Sequence, residues 1–154
     1  MNLRIIAVGK IKDNYLNEGI EEYRKRLSNW LKIELMELKA NKVARGSEEA
    51  LQEEGRRIIK KIKTNEYVIA LTSEGKHFNS QALAEKMQRI FSAGYSNIDI
   101  IIGSHEGLSE EVKKRADLLL SLSKLTFSSQ LTRLILMEQI FRCMKIIKGE
   151  PYHR

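Results

Sequence analysis

"NIDIIIGSHEGLSEEVKKRADLLLSLS", residues 97–123, decides how this chain reads. It holds an apolar run, a loop with two glycines, a charged segment and a second apolar run. Asn97–Ile102 and Leu118–Ser123 read as buried strands, because isoleucine and leucine fill successive positions with few polar interruptions. Between them, Ser109 to about Ala116 reads as a short helix with Glu110 and Glu111 in its first turn, where the helix dipole favours acids. A strand, a crossover helix and another strand make a parallel pair.

The same alternation extends in both directions. Upstream, Asn2–Val8 reads as a first strand ending at Gly9, and Tyr15–Leu27 as a helix with Asn14 as its cap and Tyr15, Leu16, Ile20, Tyr23 and Leu27 facing inward. Lys32–Leu38 reads as a half-buried strand. Ser47 opens a helix with Glu48 and Glu49 in its first turn and Leu51, Gly55, Ile58, Ile59 and Ile62 as its inner stripe. Glu66–Leu71 reads as a central strand followed by a polar loop, "TSEGKHF". Ser80–Phe91 reads as a helix closed by Gly94. Downstream, Gln130 to about Lys148 is a long final helix. The sum is an α/β chain: one domain over residues 1–154, with a mostly parallel sheet and helices on both faces.

Composition narrows the function classes. The 154 residues carry a net charge of +7, which favours polyanionic partners such as nucleic acid or anionic lipid. No apolar run approaches the ~20 residues needed to span a bilayer, and Ile5–Val8 is too short for the core of a signal peptide, so no membrane role and a cytoplasmic location are expected. Cys143 is the single cysteine, so no internal disulfide forms, and within an apolar helix it reads as a small core residue. His77, His105 and His153 lack metal-ligand spacing, and no metal is expected.

In open parallel sheets ligands bind beyond the carboxyl ends of the strands, here after Leu71, Ile102 and Leu122. The middle loop, Gly103-Ser104-His105-Glu106-Gly107, is neither a GxGxxG fingerprint nor a P-loop. A diphosphate there would face Glu106, Glu110 and Glu111, which argues against NAD and ATP. An adenosine ligand without phosphate, carrying positive charge, meets no such repulsion, and S-adenosyl-L-methionine is of that kind. The glycines would equally serve a plain strand-to-helix turn.

The last helix is apolar over more than one stripe, through Leu131, Leu134, Ile135, Leu136, Met137, Ile140, Phe141, Met144, Ile146 and Ile147. Such a helix is covered twice, by its own sheet and by a second body, for which a two-fold copy of the chain is the simplest source. Glu138 and Arg142 stand one turn apart on its polar edge. Beyond the helix come Pro151, the only proline, and then Tyr152, His153 and Arg154.

Taken together, "AVGK", "IIGSHEGLSEEVKKRAD" and "LLLSLSKLTFSSQLTRLILMEQIFRCMKIIKGEPYHR" closely resemble the large-subunit rRNA methyltransferase H family, the YbeA-like group of the SPOUT superfamily, from end to end. The specific parts are the glycine loop after a strand, the Ser-x-Ser-x-x-Thr stretch, the Glu-Gln-x-x-Arg helix and the Pro-Tyr-His terminus. The resemblance implies a SPOUT fold with a C-terminal trefoil knot, a homodimer, S-adenosyl-L-methionine as methyl donor, and methylation of N3 of a pseudouridine in 23S rRNA of the large subunit or assembled ribosome. Carried onto this chain, it implies cofactor contacts at Leu71, Thr72, Gly103, Ser104, Gly107, Leu122, Ser123, Lys124, Leu125, Thr126, Phe127 and Ser128.

For catalysis the resemblance points to the end of the chain. An imide nitrogen must lose its proton to become a good nucleophile, so a near-neutral base and a fixed cation are needed. His153 is the candidate base, Arg142 and Arg154 the candidate cations, and Tyr152 the candidate stacking group.

The sequence departs from the family at two places. Ser104 stands where a second glycine is usual, which would strain a left-handed backbone. Ser128-Ser129 replaces the usual Pro-His, removing a possible acid-base group, although serine still caps a helix. Another RNA substrate such as tRNA, or a non-catalytic RNA- or ribosome-binding module, are the alternatives.

Overall fold

The computed structural model describes residues 1–40 and 47–152. In chain order it contains β1 (Asn2–Val8), α1 (Asn14–Leu27), β2 (Lys32–Leu38), α2 (Glu48–Ile59), β3 (Glu66–His77), α3 (Ser80–Phe91), β4 (Asn97–Ile102), α4 (Glu110–Arg115), β5 (Leu118–Ser121) and α5 (Ser129–Ile147). The strands form one sheet in the order β2-β1-β4-β3-β5, and every pairing is parallel.

Both faces of the sheet are covered, which is why its inner strands carry almost no polar alternation. On one face Leu3, Ile5, Ile98, Ile100 and Ile69 pack against Leu16, Ile20, Leu83, Met87 and Ile140 from α1, α3 and α5. On the other, Ile6, Val8, Val68 and Ile101 meet Ile58 of α2 and Val112 of α4. Burying each such aliphatic side chain contributes roughly 1.5–3 kcal/mol. Four helices start at side-chain caps: Ser47, Asn79, Ser109 and Ser128 accept from the amides of Ala50, Ala82, Val112 and Leu131. Each cap is worth about 1 kcal/mol.

The charged residues of the buried strands satisfy one another. Arg4 of β1 stands opposite Asp99 of β4 in register. Its Nε and Nη2 donate to the two Asp99 oxygens at 2.8 Å, and Nη2 also donates to Glu66 at 2.9 Å. Asp99 and Glu66 are 0% and 2% exposed. Burial pushes the Asp99 carboxyl up. Burial alone would lift Glu66 as well, but the Lys63 amide, the Asp99 and Asn97 side chains and Arg4 hold it below the usual carboxylate range.

Three sequence expectations are corrected. β3 does not end at Leu71: its pairing with β5 breaks there and resumes at Lys76 and His77, so "TSEGKH" belongs to an irregular strand. Gly75 makes this possible, because a Cβ would meet the backbone of Leu120 at 2.4 Å. Asp13, not Asn14, occupies the cap position of α1. Tyr15, expected inside, is 68% exposed.

Candidate active site

The loops after β3, β4 and β5 converge at the carboxyl end of the sheet around a cavity of about 300 Å³. It is lined by Leu71 and Thr72, by Ile102, Gly103, Ser104, His105 and Gly107, and by Leu120, Leu122, Ser123, Leu125, Thr126, Phe127, Ser128, Ser129 and Thr132. Eleven of the twelve residues carried over from the family meet there. Lys124 is exposed and does not line the cavity. His105 of the glycine loop and Ser129 at the start of α5 join the eleven, as do Ile102, Leu120 and Thr132, for which the sequence carries no signal.

Each loop is tied in place. A Cβ on Gly103 would lie 2.2 Å from the Gly107 carbonyl oxygen, so the loop closes on itself only with glycine there. The left-handed conformation falls on Gly107, at φ +88°, and no described residue other than glycine has positive φ. The expected strain at Ser104 is therefore absent. Instead the Ser104 hydroxyl donates to Glu54 of α2 at 2.9 Å. Ser129 donates to the Gly103 carbonyl at 3.1 Å, fastening the first turn of α5 to the same loop. In the loop after β5, the Leu125 amide donates to the Ser123 hydroxyl at 3.0 Å, and Ser121 donates to the Ser123 carbonyl. Lys113 of α4 bridges Glu74 and Glu110, holding the irregular part of β3 against α4, and the hydrogen bond to Glu74 raises its pKa.

No lysine, arginine, aspartate or glutamate lines this cavity among the described residues. A diphosphate would find no cation to meet it, whereas an adenosine with backbone-facing polar edges would find apolar walls and loop amides. No three His, Cys, Asp or Glu side chains converge on a possible metal position among the described residues.

The matching family model, described as a predicted SPOUT methyltransferase, covers residues 1–153. The chain belongs to the SPOUT methyltransferase family. It is 50% identical to the ribosomal RNA large subunit methyltransferase H of Alkaliphilus oremlandii, 45% to that of Leuconostoc mesenteroides and 46% to that of Clostridioides difficile, with the whole of each chain covered. A methyltransferase is an enzyme, and the parallel sheet with helices on both faces is consistent with the SPOUT fold. No helix among the described residues is long and apolar enough to cross a membrane.

The candidate catalytic residues of this SPOUT methyltransferase lie elsewhere in the same chain. Arg142 donates to Glu138 at 2.7 Å through Nη2. Tyr152 turns back onto α5, its ring edge-on to Phe141 at 4.9 Å and under the Arg142 guanidinium at 4.8 Å, with its hydroxyl donating to Glu138 at 3.3 Å. Burial pushes the Tyr152 phenol up. At 1.5 Å per residue Arg142 stands about 20 Å along α5 from Ser128 at the cavity, so Arg142 and Tyr152 lie well away from the cavity of their own chain. His153 and Arg154 lie outside the described residues.

One face of α5 packs into the core through Leu136, Met137, Ile140 and Met144. Leu134, Ile135, Ile146 and Ile147 remain half-buried and Leu131 is 38% exposed, so the second apolar face anticipated from the sequence is only partly covered by this chain. Cys143 is 2% exposed, and burial pushes its thiol up to about 12.

Proposed function

We propose that this chain transfers the methyl group of S-adenosyl-L-methionine to N3 of a pseudouridine in 23S rRNA, working as a homodimer in the cytoplasm on the large subunit or assembled ribosome. The observation that carries the reading is the convergence of eleven family cofactor positions on one cavity free of charged side chains. The cradle fits the donor: the Gly103–Gly107 closure leaves loop amides for an adenine edge, while Leu71, Leu122 and Phe127 offer apolar walls. The trefoil knot implied by the resemblance belongs to the same reading.

When bound, the donor supplies an electrophilic methyl on a sulfonium centre. The protein's part is alignment, since an in-line displacement needs the acceptor nitrogen held behind that methyl. The acceptor must also shed its imide proton, leaving negative charge on the flanking oxygens. Arg142, Tyr152, His153 and Arg154 supply base, cation and stacking surface, and they do so at the cavity of the other subunit, because α5 carries Arg142 and Tyr152 away from their own. The half-buried face of α5 is the surface that brings the copies together. The net charge of +7 favours the phosphate backbone.

Calorimetry with S-adenosyl-L-methionine, together with mass spectrometry of rRNA from cells with and without the gene, tests the reading. Micromolar binding and a single methylpseudouridine lost on deletion are expected. No heat of binding, or an unchanged nucleotide profile, would overturn it; a lost methyl on tRNA would redirect it to another substrate.

A further inference from the structure

A second cavity, of about 330 Å³, opens beside the first between the carboxyl end of β1, α2 and the first turns of α5. The two share Ser104, His105 and Ser129 as lining residues, so occupants of the two would be neighbours. None of the cofactor positions implied by the family except Ser104 faces it.

Its walls are chiefly apolar, from Val8, Ala50 and Leu51, but two buried charged side chains also line it. Arg133 is 1% exposed: its Nη2 donates to the Val8 carbonyl at 3.1 Å and its Nη1 meets Glu37 at 3.4 Å, while its Nε has no hydrogen-bond partner among the described residues. A buried donor left unpaired costs about 1–3 kcal/mol and marks a place where a ligand acceptor is gained. Glu54 is 8% exposed and receives Ser104 on one oxygen. Lys10, His105, Glu106, Ser129 and Gln130 complete the polar lining, and the buried pair Arg133 and Glu54 sets a donor and an acceptor among the apolar walls. A phosphate is a poor match, because the cations of the lining, Lys10 and Arg133, are matched by two acids, Glu54 and Glu106, and leave no net positive charge for it. A flat, uncharged ring whose edge carries both an N–H and a carbonyl oxygen is a good one.

We infer that this second cavity receives the acceptor base: a pseudouridine-type ring swung out of the RNA stack, with its N1–H and the adjacent carbonyl at Glu54 and Arg133 and its reacting imide nitrogen turned toward the first cavity. Chemistry on a base within a paired or stacked stem requires such extrusion into a fitted pocket. The inference rests on the reading of the first cavity as the methyl-donor site.

Ala50→Phe, which fills the second cavity from α2, tests it, with Leu51→Trp as a second variant at a half-buried position should the first fail to fold. S-adenosyl-L-methionine affinity is measured by calorimetry and methyl transfer with purified large subunits, beside the wild type. The expected result is a donor Kd within threefold of wild type and a fall in kcat/KM for transfer of at least 100-fold. Wild-type transfer in a folded variant would overturn the inference. So would loss of donor affinity in step with transfer, which would assign the cavity to the donor. If the wild type itself neither binds donor nor transfers methyl, the functional reading fails and takes this inference with it.

Discussion

The Ser104 hydroxyl donates to the buried Glu54 carboxylate across 2.9 Å, joining the glycine loop after β4 to α2 on the far side of the loop. The Ser104 side chain thus positions a loop that glycine alone would leave looser. Ser104→Ala leaves Glu54 without this partner, and a loss of about 1–3 kcal/mol is expected. Chemical denaturation reads it as a lower midpoint at unchanged slope. An unchanged midpoint would mean that water replaces the hydroxyl without cost.

Gly103 and Gly75 are needed for close approach, not for a left-handed backbone. Gly103→Ala drives a methyl group into the Gly107 carbonyl, and Gly75→Ala into the Leu120 backbone. At Gly103 the loop must open, so donor affinity falls more than tenfold while the circular dichroism spectrum is kept. At Gly75 two paired strands must part, so thermal stability falls as well. Equal effects of the two substitutions on affinity and stability would contradict this division.

A composite site made from two subunits predicts complementation. Co-expressing an Arg142→Ala subunit with a Gly103→Ala subunit places one intact donor loop opposite one intact tail in each mixed dimer. Methyl transfer should return to about half the wild-type level per mixed dimer, although each parent variant is inactive. Mixed dimers as inactive as their parents would show that Arg142 acts at its own chain's cavity.

Cys143 carries a pH signature. Its thiol titrates near 12 in the fold, against about 9 in the unfolded chain. Stabilisation from the buried neutral thiol is complete below pH 9 and is lost as pH rises from 9 toward 12, because only the unfolded state then gives up the proton. The native protein should resist iodoacetamide at pH 8 and react once unfolded. Between pH 9 and 10.5, Cys143→Ala should lose stability less steeply than wild type. Parallel curves would rule out the thiol as the source.

Much of this fold was legible because apolar runs and helix starts are local signals. β1, β2 and β4 fall where isoleucine and leucine cluster, and Ser47, Ser109 and Ser128 cap the helices that follow them. What failed depends on distant partners. The second part of β3 is polar and contains Gly75, so it reads as loop; only contact with Leu120 and Ser121 makes it strand. Glu54 and Arg133 carry no sequence signal of their burial, since nothing nearby in the chain announces that Ser104 will donate to the first or that the Val8 carbonyl will accept from the second. Arg4 and Asp99 did leave a trace: a lone cation and a lone anion in otherwise apolar strands that the register sets side by side. For the loops around the first cavity the family resemblance named positions that spacing alone left open.

The pressing of Gly75 on Leu120 and Ser121 also makes the first cavity an all-or-none structure. Leu120, Leu122 and Ser123 line it beside residues that follow β3 and β4, and β5 joins the sheet only through β3. The pocket therefore cannot exist in part: docking of the edge strand and completion of its wall are a single event.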